Sequence, residues 1–314
     1  MPAYDCEAFV GEAVASVLGQ TMADLELVVV DDGSRDRTAD VVAAIADPRL
    51  RLVRRRHAGI AATLNAGLAA TRAPLLTRLD ADDVWLPPFL AVTCAALDAR
   101  PDADVAYARA RAVDVAGRPL GRSRGMSPCV PGDALASMLV RDFTVNIALV
   151  SRRECVEGAG GYDESLAASE DWDIWLRVSR AHRFVFVDEV LACFRERPGS
   201  VTRTAGTGPA IASDRLRILD RAFAEPGLTE QALAVRPLAY RNALFDLGLA
   251  WWSAGDLARA ARAFADGIVE SDAYSRATAR LAYNLFLHHF GRHSTVERLR
   301  AAASRLRRRL GARA

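Results

Sequence analysis

The sequence of 314 residues contains no lysine, so all 41 of its basic residues are arginine. The 39 acidic residues nearly balance them, and the formal net charge is +2. Because the sequence is also rich in alanine, we interpret the arginine content as compositional bias and not as a surface for nucleic acid. We therefore expect no nucleic-acid partner.

Cysteine is scarce, and none of the cysteines are spaced as a CxxC motif. The five cysteines are Cys6, Cys94, Cys129, Cys155 and Cys193. An odd number of scattered cysteines favours a reducing compartment, and it argues against a disulfide framework or a structural zinc site.

Long hydrophobic runs are also absent. No window reaches the roughly 18 uninterrupted apolar residues of a membrane-spanning helix. The acidic start, MPAYDCEAFVGE, lacks the basic region of a signal peptide. With 51% apolar and 25% charged residues, the composition is that of an ordinary globular protein. From the length we expect one or two domains. From the missing signal peptide and membrane-spanning run we expect a cytoplasmic protein.

Continuous apolar runs alternate with helical spacing of apolar residues along the first part of the chain. The predicted strands are 25–30, 49–55 and 73–79, and the predicted helices are 8–18, 39–46 and 59–70. This alternation predicts a doubly wound, mostly parallel, Rossmann-like α/β sheet. Ligands of such sheets bind beyond the carboxyl ends of the strands.

Two acidic clusters follow predicted strands. Asp31 and Asp32 begin DDGSRD, and Asp80, Asp82 and Asp83 form DADD. One interpretation is a polar turn, with aspartate capping the next helix. The other is a site for a hard divalent cation, because clustered carboxylates repel one another unless positive charge lies among them. Since both clusters fall at the same predicted edge, we favour a ligand site.

The character of the chain changes near its last third. The segment RPGSVTRTAGTGP, residues 197–209, is a predicted linker between a domain at 1–205 and a helical region at 206–314. Within that region, residues 243–268 resemble one tetratricopeptide-type helix pair, although a plain helical hairpin is the alternative. The final stretch, 296–314, spaces apolar residues among seven arginines. It predicts either a solvated helix or peripheral contact with anionic lipid.

Five motifs occur in a characteristic order: MPAYD, LELVVVDDGSRDRT, GIAATLNAGLAATRAPLLTRLDADD, GGYDE with SEDWDIWLR, and FRERPGSVT. Together they resemble a family 2 glycosyltransferase with the GT-A fold, over roughly residues 1–203. A sugar-pyrophosphorylase-type nucleotidyltransferase would need a glycine-rich loop after the first strand. A haloacid-dehalogenase-type phosphatase would need a DxDGT-like motif near the N-terminus. The sequence has neither of these features.

The resemblance implies a role for each matching position. Asp32 would accept a hydrogen bond from the nucleotide base, and Asp31 could instead orient the turn. The positions assigned to the nucleotide sugar are Pro2, Tyr4, Asp31, Asp32, Asn65, Asp80 and Arg197. Asp82, with Asp83, would hold Mg²⁺ or Mn²⁺ against the diphosphate of the donor.

The resemblance also makes Asp171 the general base that deprotonates the acceptor hydroxyl. The alternative is that Asp171 is only a first-turn acid of a helix at 168–178, with Ser169 as its cap. Arg197 stands where relatives often have a histidine, and it could pair with phosphate. Relatives also place about five apolar residues before the segment that matches MPAY, so we expect a truncated first strand.

These assignments predict an inverting glycosyltransferase that uses a nucleotide-diphosphate sugar. The expected acceptor is a hydroxyl group of a cell-surface polysaccharide or a lipid-linked glycan. The alternative, from another class, is a non-catalytic helical interaction protein that carries a degenerate transferase domain.

Overall fold

The computed structural model describes residues 1–125, 132–197 and 208–270. Contacts between Cα atoms divide the chain into two compact units, Met1–Ser200 and Val201–Ala314.

The first unit begins with a three-stranded parallel sheet. Its strands, in spatial order, are β1 (Pro2–Ala3), β2 (Leu27–Asp31) and β3 (Leu50–Arg54). Every residue of β2 is buried, as the β-branched run predicts for a strand covered on both faces. The register places Asp31 beside Ala3 and Arg54, so the three strands end at one edge.

Three helices belong to this part of the chain and follow the predicted apolar spacing. They are α1 (Val10–Leu18), α2 (Thr38–Ala43) and α3 (Ile60–Ala70). The buried residues of α1 are Val10, Ala13, Val14 and Val17, which recur at intervals of three and four.

The second sheet has six strands and mixed pairing. They are β4 (Leu75–Thr77), β5 (Val84–Trp85), β6 (Val105–Val113), β7 (Pro119–Arg124), β8 (Leu149–Arg152) and β9 (Phe184–Arg195). The spatial order is β4-β8-β6-β9-β5, with β7 paired to β6. Only β6 and β9 pair in parallel here, and the other pairs are antiparallel.

Four helices accompany the second sheet: α4 (Phe89–Ala99), α5 (Ala134–Val140), α6 (Arg153–Gly158) and α7 (Glu170–Val178). The apolar core contains Val14 of α1, Val29 of β2, Phe89 of α4 and Val150 of β8. Both sheets of the first unit therefore share one core.

The described part of the second unit is helical. Its helices are α8 (Pro209–Ala224), α9 (Glu230–Ala234), α10 (Arg236–Ser253) and α11 (Leu257–Val269). Gly248 of α10 faces the ring of Phe264 of α11 so closely that a Cβ would lie 2.5 Å from Cε1. The predicted helix pair is thus a tightly packed hairpin, whereas the segment 296–314 lies outside the described residues.

No helix in the described ranges has both the length and the apolar character that crossing a bilayer would require.

Gly33 and Gly117 offer a matched test of how the DDGS turn packs. Both have left-handed backbones, with φ of 75° and 78°. A Cβ on Gly33 would lie 2.8 Å from the backbone nitrogen of His57, whereas on Gly117 the nearest atom is 3.9 Å away. We expect Gly117→Ala to lower the free energy of unfolding by about 1–2 kcal/mol, the cost of the left-handed backbone. Gly33→Ala should lower it by about 1–3 kcal/mol more, because backbone atoms must move apart.

Urea unfolding of the two variants measures this difference. Equal losses in both variants would show that the turn does not press on the segment after β3.

Candidate active site

Asp32, directly after β2, fastens the segment after β3 to the sheet edge. Its Oδ1 accepts a hydrogen bond from the Ala58 amide at 3.1 Å, and its Oδ2 accepts one from the Gly59 amide at 2.9 Å. Nδ1 of His57 lies 2.8 Å from Oδ2, and Nε of Arg55 lies 3.5 Å from Oδ1. Asp32, which was predicted to bind the nucleotide base, is therefore buried at the edge of the sheet and fixed by these contacts.

His57 also supports the ring of Tyr4. The two rings stack with their centroids 4.4 Å apart, and Tyr4 is one of the exposed large apolar residues. The guanidinium of Arg35 lies 5.7 Å from the centre of the Tyr4 ring and binds the carboxylate of Asp5. An exposed aromatic ring beside a buried carboxylate is suited to a nucleotide base. His57 was not predicted from the sequence, although it follows the strand predicted at 49–55.

Pro2 and Asp31 form the wall behind these residues. Both are buried, Pro2 in β1 and Asp31 at the end of β2. Oδ1 of Asp31 lies 3.3 Å from the Ser34 amide that donates to it. This contact favours the interpretation in which Asp31 orients the DDGS turn.

Arg78 connects the DADD segment to helix α7. Its Nε donates to Oδ1 of Asp80 at 2.7 Å, and its Nη1 donates to Oε1 of Glu170 at 3.0 Å. The Arg78 side chain is only 13% exposed. Arg78 was not predicted as a site residue, although it is a charged residue inside the apolar run before DADD.

Asp82 and Asp83 contact the end of β9. Nε of Arg197 donates to Oδ2 of Asp82 at 2.7 Å, and the Arg195 amide donates to Oδ1 of Asp83 at 2.7 Å. The pairing of Val84 with Cys193 causes this, because it places the residues that flank β5 beside the carboxyl end of β9. Arg197 was predicted to bind phosphate of the donor, and in the structure it pairs with a predicted metal ligand.

The acids of the DADD segment repel one another despite these arginines. Burial, and then the charges of Asp82 and Asp80, raise the pKa of Asp83 well above its usual range. Carboxylate oxygens are the donors that Mg²⁺ and Mn²⁺ prefer, and a divalent cation would relieve the repulsion. The residues present therefore fit the predicted cation.

Asp171 lies in the first turn of α7, and both of its oxygens accept hydrogen bonds. Nδ2 of Asn146 donates to Oδ2 at 2.6 Å, and the Trp172 amide donates to Oδ1 at 2.7 Å. Asn146 is itself oriented by Nε1 of Trp175, which donates to its Oδ1 at 2.6 Å. The predicted base thus has a fixed orientation and remains half-buried. Asn146 belongs to none of the sequence motifs and was not predicted as a site residue.

The expectation that Ser169 caps α7 is wrong. Ser169 has a left-handed backbone, with φ of 71°, and its side chain makes no capping hydrogen bond. Within the described ranges, the only other non-glycine residue with positive φ is Asp5, which follows Tyr4. Both strained residues border the candidate site, where strain tends to collect.

Glu170 and Tyr162 line the region between DADD and Asp171. Glu170 is 5% exposed, and burial, followed by the charge of Asp171, raises its pKa to about 7 although Arg78 opposes the shift. Burial also raises the pKa of Tyr162 to about 12. Glu170 is therefore an acid of this region that takes up a proton near neutral pH.

Asn65 holds the GGYDE segment in place. Its Nδ2 donates to the backbone oxygen of Tyr162 at 2.9 Å and to Oε1 of Glu164 at 2.8 Å. Its Oδ1 accepts from the Tyr162 amide at 2.9 Å. The side-chain amide of Asn65 thus bonds to other residues of the chain. Direct contact between Asn65 and a nucleotide sugar stays a prediction.

Comparisons with known proteins agree with the motifs. The family model for glycosyl transferase family 2 matches residues 1–153. Chondroitin synthase of Escherichia coli is 27% identical over 198 residues, which cover 60% of this chain and 27% of that protein. Residues 1–153, within the first unit, therefore form a domain of this glycosyltransferase family. The chain spans about a quarter of the length of that synthase.

Two solved structures share the fold. S. aureus TarS 1-349, in complex with UDP-GlcNAc, has a TM-score of 0.64 and 17% identity, covering 88% of this chain and 90% of that one. Mannosyltransferase PcManGT from Pyrobaculum calidifontis, in complex with GDP-Man and Mn2+, has a TM-score of 0.58 and 20% identity. It covers 96% of this chain and 84% of that one. The GT-A fold predicted from the motifs is confirmed.

The raised pKa of Glu170 predicts a specific pH dependence of stability. The folded protein binds a proton with a pKa of about 7, whereas the ordinary value is 4.5. The folded state therefore holds more protons between these values, and the free energy of unfolding should decrease as pH rises from about 4.5 to 7. Glu170→Gln should remove this component.

Urea unfolding at pH 5 and at pH 8 measures the effect. The control is Glu154→Gln, because Glu154 is an exposed residue of α6. If the free energy of unfolding of Glu170→Gln changes with pH as it does in the parent and in Glu154→Gln, protonation of Glu170 does not cause the pH dependence.

Proposed function

We propose that this chain is an inverting glycosyltransferase that moves a sugar from a nucleotide-diphosphate sugar to a hydroxyl group. One observation carries the proposal: Arg78 joins Asp80 of DADD to Glu170, the neighbour of Asp171. This bridge places the acids proposed to hold the donor beside the acid proposed to activate the acceptor. Bringing two reactants together in this way is a large part of catalysis.

The donor's base is proposed to lie against Tyr4, with Asp32 accepting a hydrogen bond from its N–H group. A carboxylate that accepts this hydrogen bond favours bases that present an N–H group to it. Asp80 is proposed to contact the ribose. The UDP-GlcNAc and GDP-Man complexes of the similar structures support a nucleotide-sugar donor, although they carry different bases.

Asp82, with Asp83, is proposed to hold Mg²⁺ or Mn²⁺. A bound cation would neutralise the charge that builds on the leaving diphosphate. Arg197 adds positive charge at the same place, because its guanidinium contacts Asp82 and can also pair with phosphate. The Mn2+ in the PcManGT complex supports this assignment.

Asp171 is proposed as the general base. It takes the proton from the acceptor hydroxyl while that oxygen attacks the anomeric carbon and the nucleotide diphosphate leaves from the opposite face. Glu170 is less suited to this role, since it is buried and bound by Arg78. One base suffices here, whereas glycosidases use a carboxylate pair.

The acceptor is proposed to be a growing polysaccharide or a lipid-linked glycan, and the similarity to chondroitin synthase supports this class. Contact of residues 296–314 with a membrane, and a cytoplasmic location, stay predictions. The alternative of a non-catalytic interaction protein draws on the helix pair of α10 and α11. The geometry around Arg78, Asp80 and Asp171 favours the enzyme.

Nucleotide binding should depend on a divalent cation. The acids of DADD repel a diphosphate on their own, and the cation reverses that repulsion. Isothermal titration of UDP, GDP and dTDP with Mn²⁺, and again with chelator, tests this. We expect at least one nucleotide to bind with Mn²⁺ and to lose most of its affinity in chelator. Equal affinity under both conditions would contradict the cation assignment.

Asp171→Asn and Asp82→Asn should separate the two roles. Asp171→Asn should leave donor affinity nearly unchanged and lower the rate of transfer by about 10²–10⁴-fold, because an amide cannot accept the acceptor's proton. Asp82→Asn should weaken donor binding by about tenfold or more, since the loss of even an outer partner of a metal costs about that much.

Donor affinity and the rate of transfer are measured on both variants. The control is Asp98→Asn, which changes an exposed acid of α4 and should alter neither quantity. Transfer by Asp171→Asn at near the parent rate would mean that another group is the base.

A further inference from the structure

Asp104, Cys155 and His182 meet at a place that the proposed reaction does not use. Asp104 directly precedes β6, Cys155 lies in α6, and His182 is two residues before β9. Nδ1 of His182 is 3.2 Å from Oδ2 of Asp104 and 3.5 Å from Sγ of Cys155. One ligand atom from each side chain lies within 4.8 Å of the others, and no other such group of three occurs in the described ranges.

This cluster is far from the candidate active site. Strands β6 and β9 run parallel, with Val105 beside Phe184 and Val113 beside Arg195. Asp104 and His182 lie at the amino ends of these strands, whereas Asp83 contacts Arg195 at the carboxyl end. The nine residues of β6 separate the two places by about 30 Å, at about 3.3 Å per residue.

One ring nitrogen of His182 faces two partners, Asp104 and Cys155. Nδ1 of a neutral His182 either carries a hydrogen, which Asp104 can accept, or has a lone pair, which the Cys155 thiol can reach. It cannot do both, because one nitrogen faces both partners. A cation among the three atoms would accept a lone pair from each of them.

The observed spacings agree with a tetrahedral centre. Bonds of about 2.0–2.1 Å to nitrogen and oxygen, and of about 2.3 Å to sulfur, place N and O about 3.3 Å apart and N and S about 3.6 Å apart. The observed distances are 3.2 Å and 3.5 Å. The remaining distance, between carboxylate and thiol, is no more than 4.8 Å and can close by side-chain rotation.

We propose that Asp104, Cys155 and His182 form a Zn²⁺ site with a fourth position open to water. A thiolate, an imidazole and a carboxylate are the ligands that Zn²⁺ takes in proteins. The side chains of Asp104 and His182 are 24% and 26% exposed, so water can reach the fourth position. The ion ties α6 to the amino ends of β6 and β9.

Two neighbouring groups oppose the cation. Nε of Arg152 lies 3.8 Å from Oδ1 of Asp104, and the Arg183 amide donates to Oδ2 at 3.2 Å. The site therefore binds zinc more weakly than a four-cysteine site would. The absence of a CxxC motif argued against structural zinc, but these ligands come from three distant parts of the chain and have no motif.

Cobalt(II) titration of the metal-free full chain tests the proposal, because Co²⁺ replaces Zn²⁺ and reports its ligands by absorption. We expect one Co²⁺ per chain, with intense visible bands of tetrahedral cobalt and a thiolate-to-cobalt band in the near ultraviolet. Zn²⁺ should displace the cobalt and abolish both signals. A folded parent protein without a thiolate band would overturn the proposal.

Three variants and one control assign the ligands. Cys155→Ser should lose the thiolate band, and Asp104→Asn and His182→Gln should bind Co²⁺ at least about tenfold more weakly. The control, Cys94→Ser, removes another buried cysteine and should retain the band. A thiolate band that persists in Cys155→Ser would overturn the site. Should Cys155→Ser fail to fold by circular dichroism, unchanged cobalt affinity in both other variants would overturn it equally.

These readouts do not depend on sugar transfer. Zn²⁺ should raise the melting temperature of the parent but not of Cys155→Ser, because an ion that binds only the folded state stabilises that state. Cation-dependent nucleotide binding through DADD should persist in Cys155→Ser. The zinc site and the glycosyltransferase proposal can therefore fail separately.

Discussion

The candidate active site depends on the ion pairs that the guanidinium of Arg78 makes with two carboxylates. A nearly buried positive charge is stable only with carboxylates beside it, and Arg78 takes one from each of two elements, Asp80 and Glu170. These partners are 2 and 92 residues away along the chain. The same ion pairs therefore stabilise the DADD turn and fix where α7 begins. Any arrangement that released α7 would leave the Arg78 guanidinium with Asp80 alone.

Arg78, Arg197 and a divalent cation all neutralise the carboxylates of DADD. Arg197 occupies one oxygen of Asp82, so a cation that uses this oxygen competes with Arg197. A donor diphosphate changes the balance, because it brings negative oxygens for both the cation and the guanidinium. Cation and donor therefore favour each other's binding, and this coupling is reciprocal. Burial, and then repulsion from Asp82 and Asp80, raise the pKa of Asp83, and either positive group relieves the repulsion.

Sequence patterns predicted the local structure well and the contacts between distant segments poorly. The strand predicted at 25–30 is Leu27–Asp31, and the helix predicted at 59–70 is Ile60–Ala70. Periodicity finds such elements because burial of one face depends on neighbours along the chain. It does not reveal that Glu170 pairs with Arg78, or that β6 pairs with β9 in parallel. The cap expected at Ser169 failed because its backbone is left-handed, which composition does not show.

The pairing of β4 with β8 positions both the DADD segment and Asn146, the residue that binds Asp171. Thr77, the last residue of β4, pairs with Val150 of β8, so the chain leaves β4 toward Arg78 at the end where β8 begins. Asn146 lies just before β8 at that same end and binds Asp171. Trp175, four residues after Asp171, faces the same side of α7 and holds the other end of the Asn146 amide. Backbone pairing thus sets the spacing between DADD and Asn146, and a side-chain hydrogen bond holds Asp171 to Asn146.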